Sequence, residues 1–92
     1  MSLAERFSFD ELVNEAERLV LDELESQLSE REHDPSEEEV LDMAAYSLNH
    51  VRPRYRVNLL GRLYAQYPSE QYHAEVAAAV REAVDKVLSE PS

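Results

Sequence analysis

The sequence predicts a mostly α fold: a small three-helix domain with one irregular extended arm or short hairpin between helices 2 and 3. Two observations carry this. Apolar residues recur at helical spacing in three segments, each preceded by start signals. Between the second and third segments the spacing changes to alternation around Pro53. The 92 residues include a single Gly and four Pro, which argues against an all-β sandwich.

The first helix is expected over about residues 9–28. Ser8 and Glu11 have the spacing of a capping box, with Phe7 placed to staple onto Leu12. Phe9, Leu12, Val13, Ala16, Leu19, Val20, Leu24 and Leu28 follow at helical spacing, and Leu21 widens the stripe. A polar linker follows. Asp34-Pro35-Ser36-Glu37 then supplies an N-cap, a proline at the first helical position and acids that suit the positive end of the helix dipole. The second helix is expected over about 36–50, with Val40, Leu41, Ala44, Ala45, Leu48 and Val51 as its buried stripe. Pro53 disfavours helical geometry at Arg52 and so ends it.

The arm spans about 52–66. Tyr55, Val57 and Leu59 alternate with Arg54, Arg56 and Asn58, and Gly61 suits a turn. Ser69 is a good cap for a third helix over about 70–88, whose stripe is Tyr72, Val76, Val80, Ala83, Val84 and Val87. The run Ala77 to Ala79 allows close approach of another helix. No internal repeat is visible, and the chain reads as one domain, 1–92.

Charge singles out the arm. Between Asp42 and Glu70 there is no acidic residue, while Arg52, Arg54, Arg56 and Arg62 give that window a formal charge of +4. The rest of the chain holds five basic and twenty acidic side chains, for a net charge of −11. Duplex nucleic acid and anionic membrane surfaces are disfavoured as partners by that balance. A small anion is not, because the Debye length is about 8 Å at physiological salt and a local arginine cluster outweighs distant carboxylates. Cysteine is absent, which removes disulfides and thiolate metal sites. The opening residues lack the pattern of a signal peptide and no apolar run has membrane-span length, so a cytoplasmic location is expected.

The segment D-M-A-A-Y-S-L-N-H-V-R-P-R-Y-R-V resembles the signature of the late competence development (ComFB) family. The matching residues are Asp42, Ala44, Ala45, Leu48, Asn49, Pro53, Tyr55 and Val57, and Gly61 with Tyr64 fits the continuation. His50 stands where the family has arginine, and Arg52 where it has its first proline. The linker E-R-E-H-D-P-S-E offers no cysteine for the metal that some members hold. The resemblance implies a small non-enzymatic homodimer of bacterial signalling, linked to competence or motility. It also implies a receptor for a cyclic dinucleotide second messenger that acts through an unidentified effector protein.

Taken with the charge, this makes Arg52, Arg54, Arg56 and Arg62 the candidate ligand residues. Guanidinium groups clamp phosphate bidentately, pair with guanine O6/N7 or stack on a base. Arginine richness leans towards cyclic di-GMP over cyclic di-AMP, since adenine pairs with Asn or Gln. The competing reading is that these arginines satisfy nearby carboxylates. Asn49 fits a ligand contact or a helix C-cap. Tyr55 and Tyr64 fit purine stacking or a place in the core or an interface. His33, His50 and His73 are too scattered for a metal site, so none is expected. No glycine-rich phosphate loop or nucleophile motif points to an enzyme. The alternative function is a structural adaptor of competence or motility regulation, using the arm for protein contacts without a nucleotide.

Overall fold

The computed structural model describes residues 2–32, 34–57 and 69–89. In chain order these form α1 (Leu3–Arg6), β1 (Leu12–Asn14), α2 (Glu15–Glu30), α3 (Glu37–Asn49), β2 (Tyr55–Val57) and α4 (Glu70–Ser89). The domain is mostly α, as its periodicity predicts. Three long helices pack together, and the two short strands form an antiparallel ribbon beside them.

The core is built from one stripe per helix. Ala16, Leu19, Val20 and Leu24 come from α2, Met43 from α3, and Tyr72, Val76, Ala79, Val80, Ala83 and Val84 from α4. Small residues on α4 allow the helices to approach closely. On α3 the buried face follows the predicted stripe in part: Ala44 and Leu48 pack against the core and Val51, just beyond the helix, is buried, but two of the predicted residues turn outward. Met43 and Ser47 are its buried residues, whereas Leu41 is 62% exposed and Ala45 also faces solvent. Ser47 is tolerated inside because its hydroxyl donates to the Met43 carbonyl at 2.8 Å. Once that hydroxyl is satisfied, the small side chain can occupy the contact face and the helix turns Leu41 outward.

Two helix starts also differ. The first long helix begins at Glu15, not near Phe9, because Asn14 caps it: its Oδ1 accepts the Ala16 N–H at 3.1 Å. The Ser8 hydroxyl instead accepts the N–H of Asp10, two residues on, a local turn that mimics a cap in sequence. Phe9, Leu12 and Val13 therefore remain exposed. In α3 the cap is Ser36 rather than Asp34, with a complete capping box. Ser36 Oγ accepts from the Glu39 N–H at 3.1 Å, and Glu39 Oε1 from the Ser36 N–H at 2.9 Å.

The arm is extended over residues 52–57, and the rest of it, with any hairpin turn, lies outside the described residues. Leu12 pairs with Val57, Val13 with Arg56 and Asn14 with Tyr55. Strand β2 thus finds its partner in the N-terminal segment that helical spacing assigns to the first helix. Short apolar runs satisfy either period, and the pairing partner decides between them.

Candidate functional site

The arm is fixed at its root from two sides. Val51 is buried under the end of α3, and Pro53 keeps the chain extended beyond it. From α2, Asn14 Oδ1 accepts a second hydrogen bond, from the Arg54 N–H at 2.8 Å, and the Glu15 N–H donates to the Arg54 carbonyl at 2.6 Å. One side chain therefore caps a helix and anchors the arm. From α4, the buried Tyr72 donates its hydroxyl to the Arg52 carbonyl. The Tyr72 N–H is itself taken by Ser69 Oγ at 3.0 Å, which sets the start of α4.

These clamps bring two of the candidate arginines onto one aromatic ring. The Arg52 and Arg54 guanidinium carbons lie 5.5 and 5.2 Å from the Tyr72 ring centroid, within cation–π range. Burial pushes the Tyr72 phenol above the ordinary tyrosine value, opposed by the positive charges of Arg54 and Arg52 and reinforced by Glu75. Tyr72 thus stays a neutral donor at physiological pH.

Arg52 also forms a two-pronged ion pair with Glu75 of α4. Its Nε donates to Oε2 and its Nη2 to Oε1, each at 3.0 Å. The competing reading of the arginines thus applies to Arg52, which satisfies a carboxylate. The Arg52 side chain is nevertheless 67% exposed, and that of Glu75 35%.

The other candidates are placed as follows. Tyr55 is not a core residue of this chain: it lies on the ribbon and is 65% exposed. Asn49 is exposed and is the last residue of α3, while His50 takes the C-cap position with φ −116°, so no left-handed asparagine cap forms. Arg56 sits opposite Val13 in the ribbon. Arg62 and Tyr64, with Gly61, lie outside the described residues.

His50 belongs to a neighbouring cluster. Its ring stacks on Tyr46 at 4.2 Å, and its Nδ1 lies 2.7 Å from the Tyr46 carbonyl oxygen. Tyr46 donates to Glu82 at 2.7 Å, and that hydrogen bond, with some desolvation and the Glu82 charge, raises its pKa. Among the described residues, no group of three His, Asp or Glu side chains is arranged to hold a metal ion. A shallow groove of about 550 Å³ runs along α4, lined by Ala78, Arg81, Glu82, Asp85, Lys86 and Ser89, and shares no residue with the arm.

Helical spacing places Tyr72 in the core and assigns it no further task. A tyrosine in a buried stripe nonetheless signals a polar partner for its hydroxyl. The clamp at Asn14 had a usable signal too, an N-x-x-E start at Asn14 and Glu17. For Glu75 there was none.

The model of the late competence development protein ComFB family matches residues 13–91, nearly the whole chain, including every element that builds the arm's anchor. The chain belongs to the ComFB family. No curated protein and no solved structure matches it. The ComFB match starts at Val13, inside β1, so the ribbon pairing joins the first matched residues to the arginine arm. Among the described residues of this ComFB-family chain, no helix is long and apolar enough to cross a membrane.

Proposed function

We propose that this ComFB-family protein is a non-enzymatic signalling protein that binds a cyclic dinucleotide through its arginine arm. The observation that carries the reading is the convergence of Arg52 and Arg54 over Tyr72, on an extended segment anchored from two helices. Guanidinium groups on a fixed backbone, that of Arg52 exposed and that of Arg54 half-buried, meet phosphate with little ordering cost. Tyr55, exposed between them and Arg56 in sequence, supplies a face for a purine. Arg56, Arg62, Asn49 and Tyr64 complete the candidate set. Cyclic di-GMP is favoured over cyclic di-AMP because arginine pairs with guanine O6/N7. A two-fold ligand suits a homodimer, and the ligand acts by biasing contact with an effector protein in the cytoplasm.

Isothermal titration with both dinucleotides tests this. Micromolar or tighter binding of cyclic di-GMP is expected, and Arg54→Ala should weaken it by about 5- to 150-fold, the range for a lost bidentate contact. Flat thermograms with both ligands would remove the reading.

A second reading has its own observation. Leu12, Tyr55 and Val57 on the ribbon, and Phe7 and Phe9 before it, are all exposed. Apolar groups held on a short ribbon suit a protein contact, as an adaptor would use. On that reading, charge reversal at Arg54 and Arg56 changes oligomeric state or captured partners and has no nucleotide effect.

A further inference from the structure

We infer that Glu75 is a built-in competitor for the ligand phosphate, occupying the Arg52 fork until a phosphodiester displaces it. This rests on the cyclic dinucleotide reading and concerns the regulation of that same site.

The window from 43 to 69 is free of acid along the chain, but not in space. Helix α4 carries Glu75 one turn beyond Tyr72, so the ring that underlies Arg52 and the carboxylate that holds it come from one helix face. The fork geometry matters. Nε and Nη2 of Arg52 each meet one carboxylate oxygen at 3.0 Å, the edge-on arrangement in which guanidinium receives two oxygens of a phosphate. Glu75 therefore fills the place that a phosphodiester would take on Arg52, and both cannot hold the same edge.

The pair is poised to yield. It lies at the surface, and exposed ion pairs are weak, holding by a factor of about five or less. Tyr72 keeps the Arg52 backbone in place through its carbonyl whichever anion is bound. The guanidinium thus remains presented when Glu75 leaves. While Glu75 is seated it neutralises Arg52, and when displaced it repels the incoming anion. Both effects set a threshold that weak anions fail to pass.

The test is titration of cyclic di-GMP into the wild type, Glu75→Gln and Glu82→Gln. Glu82 lies on the same helix, pairs with Tyr46 and removes the same formal charge without touching Arg52. Thermal melts by circular dichroism check that each variant is folded. Binding by the wild type, tightened about two- to fivefold in Glu75→Gln and little changed in Glu82→Gln, supports the inference. Binding by Glu75→Gln alone, with a silent wild type, overturns it, because a carboxylate that the ligand cannot displace is a block and not a competitor. If the wild type binds and Glu75→Gln binds equally or more weakly, Glu75 merely positions Arg52, and the inference is overturned while the ligand stands. Equal tightening in both variants overturns it too, since the effect is then general charge. Silence from the wild type and from Glu75→Gln removes ligand and competitor together.

Discussion

Asn14 and Tyr72 each serve more than one partner. Asn14 Oδ1 accepts from Ala16 and from Arg54, so its loss leaves a helix start and the arm root short of an acceptor. Tyr72 fills the core with its ring, supports two guanidinium groups on its face and donates to Arg52. Replacing Tyr72 by Phe keeps the ring and removes only the donor. Urea denaturation should then show a loss of about 1–2 kcal/mol, from the broken bond and the carbonyl left without it. A pH signature accompanies it. Because burial raises the folded-state pKa, Tyr72 adds stability below the ordinary tyrosine value of about 10. That contribution is lost as pH rises from there through the folded value, since the unfolded phenol ionises first. Tyr72→Phe should flatten part of the alkaline fall, to which Tyr46, whose phenol is also raised, contributes as well.

At the scale of elements, the start of α2 is where local pattern and structure part company. Ser8 with Glu11 and Asn14 with Glu17 are both plausible caps in sequence. The second is used, because capping at Asn14 frees residues 12–14 to pair with the arm. The two alternatives predict different mutants. Asn14→Ala should cost about 1–2 kcal/mol in chemical denaturation. Ser8→Ala should stay within about 0.5 kcal/mol of wild type, as an exposed substitution away from a cap does. A large cost at Ser8 would mean that the helix begins where its box suggests. The same comparison shows how much of the site is legible. Alternation around Pro53 announces an extended, arginine-bearing arm, but nothing near it in sequence names the strand it pairs with.

For the whole molecule, the net charge of −11 dominates. Cross-helix ties exist: Arg31 pairs with Asp85, Tyr46 with Glu82, and Gln27 donates to the Ala77 carbonyl at 3.0 Å. Among the described residues they are solvent-exposed or partly buried and few, so self-repulsion among the carboxylates outweighs them. Raising salt to about 0.5 M should therefore raise the melting temperature, since screening relieves repulsion more than it weakens the few pairs. A fall on adding salt would show that ion pairs hold the fold. The core itself should be insensitive to salt. Met43, fully buried between the helices, should cost about 2–5 kcal/mol on replacement by Ala in denaturant titrations at either ionic strength.

The sequence alone determined the three long helices, the α4 core stripe, an extended arginine arm after Pro53 and the acid-free window. All of these are written in residues a few positions apart, because helical period, caps and proline geometry act within about one turn. Only the tertiary structure decided that β2 pairs with β1, that Asn14 reaches Arg54 across 40 residues, and that Glu75 meets Arg52 across 23. Those contacts form when the packed stripes of α2 and α4 carry distant side chains to the same end of the bundle. A carboxylate can be absent from every neighbouring position and still be the nearest anion.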